Sequence, residues 1–357
     1  MMADLIERMV KRIKQLDKKA MAAARARQDT LTKPQGSLGR LEELSVQLAG
    51  IQGKPIPQIR HKSIITMAGD HGVVAEGVGN WPQEVTVQMV HNFLSGGAGI
   101  NIIARQVGAR IIVVDMGVAR ELPPHPQLLS RKVAPGTRNM CQGPAMTVEE
   151  AIKSVETGIE IVTGELAGGL DIVGTGDMGI GNTTASSAIC AAITGRTVVE
   201  VTGRGTGITD EQLKHKVQVI EKALAVNRPD PKQPLDVLAK VGGFEIGGLV
   251  GVMLAAAAHR IPVALDGFIS GAAALIATGL SPQLTDYLIA AHVSAEAGHP
   301  LLLSHLGLKP LLDLGMRLGE GTGAALGIFL SETAARVLAE MSTFTEAGVS
   351  ERSESGR

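Results

Sequence analysis

The sequence predicts an α/β fold built on a parallel sheet of about six strands flanked by helices, and three observations lead there. Six short runs are nearly continuous in Ile, Val, Leu and Ala: "SIITMAG" (63–69), "RIIVVD" (110–115), "LDIVG" (170–174), "TVVEV" (197–201), "IPVALD" (261–266) and "YLIAAHV" (287–293). Strands covered on both faces have that composition. Helix-like segments separate the runs, the order of a parallel sheet with right-handed crossovers. Finally, the runs lead into "DHG" (70–72), "DMG" (115–117), "GTGD" (174–177), "TGRG" (202–205), "DG" (266–267) and "HVSAE" (292–296). Ligands of open α/β sheets bind beyond the carboxyl ends of the strands, where these glycines and polar groups gather.

The chain ends differ from the middle. Leu5, Met9, Ile13 and Leu16 recur at helical spacing in "MMADLIERMVKRIKQLDKKA", and charges interrupt every apolar stretch there, so the segment reads as an amphipathic helix and not a signal peptide. Residues 1–55 and 324–345 are expected to form a small helical domain, 56–323 the large α/β domain, and 346–357, "EAGVSERSESGR", a frayed polar tail. The charge-free stretch 267–285 contains Ser270, Thr278 and Pro282 and reads as a buried helix, not a membrane span.

Composition narrows the partners. Of 357 residues 45% are hydrophobic and 19% charged, enough for a substantial core. A net charge of −1 gives no electrostatic reason to expect nucleic acid or an anionic membrane. Two cysteines, Cys141 and Cys190, are too few for a disulfide framework and suit a reducing cytoplasm.

The stretch "GTGDMGIGNTT" (174–184) follows an apolar run and opens the small-residue helix "ASSAICAAITG". Gly174, Gly176 and Gly179 spell G-x-G-x-x-G, and Glu200 lies about where a ribose-binding acid of a dinucleotide site is expected. The unit sits mid-chain, however, and a lone fingerprint in a chain with 44 glycines is weak. Gly176 and Gly181 also fit a P-loop spacing, but Asn182-Thr183 stands where the P-loop lysine and hydroxyl belong. What remains is a helix N-terminus able to hold a single phosphate, or a tight turn with no ligand. In "MRLGEGTGAAL" (316–326), Glu320 either caps a helix or projects into a cleft as a general base. Asp70, Asp115 and Asp266 end three strands and are expected to bond loop amides. Asp70, His71 and His292 lack metal-site spacing, and no metal or cofactor is expected. Lys216 becomes interesting only if its helix faces the glycine loop.

Seven blocks then occur in order: "KPQGSLGRLE" (33–42), "AGDHGV" (68–73), "PQEVTVQMV" (82–90), "GIGNTTA" (179–185), "KVGGFEIGG" (240–248), "LDGFIS" (265–270) and "MRLGEGTGAAL" (316–326). Together they make the chain resemble the nicotinate-nucleotide–dimethylbenzimidazole phosphoribosyltransferase family over nearly its whole length. The resemblance implies a homodimer with a Rossmann-like large domain and a small domain made from both chain ends. It also implies an activity in cobalamin biosynthesis: ribose 5-phosphate passes from nicotinate mononucleotide to 5,6-dimethylbenzimidazole, giving α-ribazole 5′-phosphate and nicotinate.

On that resemblance Glu320 matches the general base. Gly176, Asp177, Gly179, Asn182, Thr183 and Thr184 match the phosphoribosyl loop, with Gly205, Lys216 and Ser294 as helpers. Trp81, Gln83, Gln88, Met89, Met178 and Leu318 fall in or beside blocks expected around the flat acceptor base. Two departures stand out: Asp177 replaces a glutamate common in the family, and Trp81 replaces a smaller aromatic. They leave open another acceptor, such as adenine or a phenolic base. A catalytically silent nucleotide-binding protein is the rival from another class.

Overall fold

The computed structural model describes residues 4–205 and 207–350. Among them, those up to Lys14 together with His61–Ile328 form one compact unit, and Gln15–Arg60 with those from Phe329 onward form a second.

The first unit holds six parallel strands: β1 (Lys62–Gly69), β2 (Arg110–Gly117), β3 (Leu128–Ser130), β4 (Ile172–Met178), β5 (Val263–Leu265) and β6 (Leu288–Ala290). Their order is β3-β2-β1-β4-β5-β6. Five of the expected runs are strands. The sixth, 197–201, is not: Thr197 caps a short helix, Val198–Val201, accepting from Glu200 N–H while Glu200 accepts from Thr197 N–H. The T-x-x-E signature of a capping box outweighs the β-branched composition, and Val199 is 66% exposed, as no doubly covered strand would allow. Glu200 is thereby committed to a helix start and is not the acid of a dinucleotide site. The strand missing from the sequence reading is β3, a three-residue edge piece after a proline-rich segment, too short to show a pattern.

Helices Val148–Glu165 and Phe244–Ala258 cross with their backbones nearly touching. All fifteen residues of the latter are buried. A Cβ built on Gly158 would lie 2.0 Å from the Gly248 carbonyl oxygen, and one on Gly251 would lie 1.9 Å from that of Val155. The 267–285 stretch forms the buried helix Phe268–Leu280 followed by a 3₁₀ turn. No helix among the described residues is long and apolar enough to cross a membrane.

The domain expectation needs correcting at the N-terminus. Helix Asp4–Arg12 belongs to the larger unit, packing on Phe244–Ala258 through a stripe of Ile6 and Met9, with Ile13 buried just beyond its end. Tyr287 Oη donates to the Lys14 carbonyl at 2.8 Å and ties down the segment's end. In the second unit, Ala24, Val46, Ala49 and Leu338 form a small core. There the "KPQGSLGRLE" block closes on a buried Lys33–Glu42 pair, 2.8 Å apart. The polar tail begins later than expected, since Phe344–Ala347 forms a helical turn capped by Thr343. Residues 351–357 of that expectation lie outside the described residues.

The helix crossing predicts opposite outcomes for two substitutions on one helix. Gly158→Ala should destabilise by about 1–3 kcal/mol through overpacking. Gly164→Ala, whose Cβ meets nothing within 4 Å, should stabilise by up to about 1 kcal/mol. Equilibrium denaturant unfolding of both variants checks this.

Candidate active site

Strand order reverses between β1 and β4, so a crevice opens beyond their carboxyl ends. From β4 the chain runs through Met178–Gly181 into helix Asn182–Thr194. Backbone contact sets this loop's position: a Cβ on Gly179 would lie 2.1 Å from the Gly69 carbonyl oxygen. Gly181, the helix N-cap, has φ +96°, which glycine adopts without strain. Ile180 N–H donates to Thr86 Oγ1 at 3.2 Å, fixing the loop from helix Glu84–Leu94.

Two compartments flank the loop. The first, about 650 Å³ including its open mouth, is lined by Asp177, Met178, Gly179, Asn182, Thr183, Gly205, His292, Ser294, Glu296, Arg317 and Leu318, among others. The second, about 490 Å³, shares Gly179, Asn182, Thr183 and Gly205 and adds Trp81, Thr184, Arg204 and Lys216. Lys216, 2% exposed, donates from Nζ to Thr183 Oγ1 at 2.8 Å. Its helix therefore does face the glycine loop. Burial lowers its pKa to about 8, with the Glu296 carboxylate pulling the other way. An ammonium beside a helix N-terminus is the chemistry of an anion site.

Glu320 sits at φ +65° between Gly319 and Gly321, in the left-handed region that few non-glycine residues enter. Its N–H donates to the Asp177 carbonyl at 3.1 Å, and its own carbonyl accepts from Thr66 Oγ1 at 2.9 Å. The residue is thus held to β4 and β1, the two strands at the switch point. Its carboxylate accepts from Ile100 N–H at 3.1 Å, near the start of helix Gly99–Val107. Burial raises its pKa, against the lowering effect of that hydrogen bond. Leu318 and the Glu320 carboxylate both lie close to Gly99, but of the two only Leu318 lines a compartment.

Other carboxyls crowd the crevice. Asp177 accepts from Asn182 Nδ2 at 2.9 Å, while its Oδ1 is buried without a protein partner. Burial, then the negative fields of Asp266 and Glu245, push its pKa well up. Asp266 accepts from the N–H groups of Gly321, Gly323 and Ala324 at 3.1, 2.7 and 3.1 Å. Burial nonetheless raises its pKa to about 7. Beneath the loop, His71 Nε2 and Glu245 Oε1 are 2.7 Å apart and fully enclosed. Burial alone would lower the His71 pKa, but the Glu245 carboxylate raises it overall.

The sequence-predicted residues divide accordingly. Asp177, Met178, Gly179, Asn182, Thr183, Gly205, Ser294 and Leu318 line the first compartment; Thr184, Lys216 and Trp81 line the second. Gly176 lines neither: it lies inside β4, where a Cβ would come 2.4 Å from the Glu320 carbonyl oxygen. Its role is to let Glu320 approach. Gln83, Gln88 and Met89 also line neither compartment. Gln83 precedes helix Glu84–Leu94, and Gln88 faces solvent. Asp70 and Asp115 bond loop amides, accepting from Ala119 and Val118. Residues that sequence reasoning missed are Thr86, Glu245, Glu296 and Arg317. Thr86, Glu245 and Arg317 fall inside the quoted blocks, which was the available signal; Glu296 does not.

A parallel sheet whose switch point carries a helix N-terminus with a buried lysine, and a buried carboxylate held across both central strands, has the arrangement of a transferase acting on a phosphorylated sugar. A family model described as phosphoribosyltransferase matches residues 13–349. The chain is 61% identical over 348 residues to nicotinate-nucleotide–dimethylbenzimidazole phosphoribosyltransferase of Desulforudis audaxviator, covering 98% of this chain and 99% of that one. It is 58% identical over 349 residues, with the same coverage, to the protein so named in Dehalococcoides mccartyi. The solved structure of CobT from Thermus thermophilus superposes with a TM-score of 0.90 at 49% identity, over 94% of this chain and 100% of that one. The chain belongs to the nicotinate-nucleotide–dimethylbenzimidazole phosphoribosyltransferase family.

A pH prediction follows from Asp266. Its pKa is higher folded than unfolded, so its stabilising contribution is complete below about pH 4 and is lost as pH rises through about 7. Asp266→Asn should remove that part of the slope, which melting temperatures of both proteins between pH 4 and 8 would reveal.

Proposed function

We propose that the protein transfers ribose 5-phosphate from nicotinate mononucleotide to 5,6-dimethylbenzimidazole, in the nucleotide-loop branch of cobalamin biosynthesis. The observation that carries this reading is the pairing of a one-phosphate cradle with Glu320 at one switch point. The phosphate lies at the N-terminal end of helix Asn182–Thr194, with Lys216 and Thr183 at its side. Asp177 and Ser294 stand where ribose follows, and Met178 and Leu318 offer apolar surface for the flat base. Trp81, on the second compartment, and Gln83, Gln88 and Met89, away from both, have a weaker claim on the acceptor.

The chemistry needs no diphosphate leaving group. The donor's ring nitrogen is cationic, so breaking its bond to C1′ returns the electron pair to that nitrogen and releases neutral-ring nicotinate. One imidazole nitrogen of the acceptor attacks C1′ from the opposite face, inverting β to α. The other nitrogen then loses its proton to the Glu320 carboxylate. Burial raises the basicity of that carboxylate, and the Ile100 amide holds it in place. A positioned base of this kind contributes roughly 10²–10⁴-fold. The reading carries with it a homodimer in the cytoplasm, for which two free, buried cysteines suit a reducing compartment.

The direct test incubates the protein with both substrates and separates the products by chromatography with mass detection. Equal amounts of nicotinate and α-ribazole 5′-phosphate are expected; none would sink the reading. Glu320→Gln should lower kcat by about 10²–10⁴-fold while mononucleotide binding persists. In the wild type, kcat/KM should fall as pH drops through the raised Glu320 pKa, because the base must be ionised. A variant that kept full turnover would remove Glu320 from this role.

A further inference from the structure

Glu296 was not among the residues the sequence singled out, yet it borders the phosphate end of the cleft. It is 6% exposed, lines the first compartment, and leaves Oε2 buried with no protein partner. The carboxylate lies directly on the bare Cα of Gly203, since a Cβ there would come 2.1 Å from Oε2. Gly205 N–H donates to Glu296, while Arg317 Nη1 donates to the Gly205 carbonyl at 3.0 Å. An acid and a guanidinium thus clasp the same turn by its two backbone groups. Across the turn lies Lys216, its Nζ 3.7 Å from where a Gly205 Cβ would be.

We propose that Glu296 is a positioning residue for the phosphate: through the Gly203–Gly205 turn its carboxylate keeps the Lys216 ammonium charged and directed at the ligand. The inference rests on the mononucleotide reading above. Lys216 Nζ bonds the neutral Thr183 hydroxyl, so its charge depends on fields from further away. Burial disfavours the ammonium, and Glu296 opposes that effect. The other charged groups facing this corner are Arg317, which draws on Glu296 itself, and Arg204, which is paired with Asp210 in the first turn of the Lys216 helix. Neither supplies negative charge to Lys216.

The consequence is a window of pH. A phosphate monoester becomes dianionic above about pH 6. Lys216 loses its proton as pH rises through about 8. Affinity for the mononucleotide is therefore highest between these limits. Without the Glu296 charge the ammonium loses support and the upper limit moves down. Glu296 also repels the dianion directly, an effect of opposite sign, so the experiment decides between them.

The test measures calorimetric affinity of the full chain for nicotinate mononucleotide from pH 6 to 9, for wild type, Glu296→Gln and Glu296→Asp. The same titrations use nicotinate riboside, which lacks the phosphate. Wild-type affinity should decline above about pH 8, and that of Glu296→Gln about one unit lower, making it about fivefold weaker at pH 8. Glu296→Asp, which keeps the charge, should restore the wild-type edge, and riboside binding should be the same in all three. Weakening independent of pH, or shared by the riboside, would mean that Glu296 merely shapes the turn and would overturn the proposal. So would tighter binding by Glu296→Gln. Wild-type protein that binds the mononucleotide with this pH edge but never turns over would sink the transferase reading and leave Glu296's role standing.

Discussion

The site depends on one buried carboxylate. Asp266, at the end of β5, receives three backbone N–H groups from the turn that begins helix Thr322–Glu340. These are amides that a helix leaves without internal partners, and the partial positive charge of the helix start adds to their attraction. The cap fixes the 319–324 turn, and the turn in turn fixes Glu320. A non-glycine residue at φ +65° costs of order 1 kcal/mol or more, and it persists only where the surroundings over-determine it. Here they do: Asp177 holds its N–H, Thr66 its carbonyl, and the missing side chain of Gly176 makes room for both. The proposed base is therefore locked to the two central strands rather than carried on a free loop.

Much of this arrangement was legible in the sequence, and the failures have physical causes. Parallel strands buried on both faces read plainly as apolar runs, so five were found; β3, three residues long at the edge, has no room for a pattern. "TVVEV" misled because β-branched composition was weighed without its flanking Thr-x-x-Glu cap. The glycine loop and Glu320 announced themselves by spacing. The residues opposite them did not: Thr86 and Glu296 come from segments distant in sequence, and Lys216 could be named only on condition that its helix faced the loop. A lysine between other charges on a helix looks solvated until the fold buries it. Gln83, Gln88 and Met89 line neither compartment for the converse reason: membership of a block says that a position is near the site, not which way its side chain faces. Gln88 faces solvent, although its helix bonds the loop through Thr86.

Asp177 shows what the crowding of acids means for this chain. Its carboxyl gives one of its oxygens to Asn182, at the start of helix Asn182–Thr194. Its backbone carbonyl meanwhile holds Glu320. One residue thus links the cradle to the proposed base, and the short side chain suits that task because Asn182 is only one helical start away. Burial and the nearby carboxylates Asp266, Glu245 and Glu320 all favour its protonated form. On the proposed reaction this bias works in one direction. The donor brings a cationic ring, and positive charge persists on the sugar as the glycosidic bond lengthens. A cation entering a cluster of carboxyls that repel one another lowers their pKa values and is itself stabilised by the charge it releases. The proton that keeps these acids neutral is thereby exchanged for attraction to the reacting donor. A neutral ligand of the same shape would not drive that exchange.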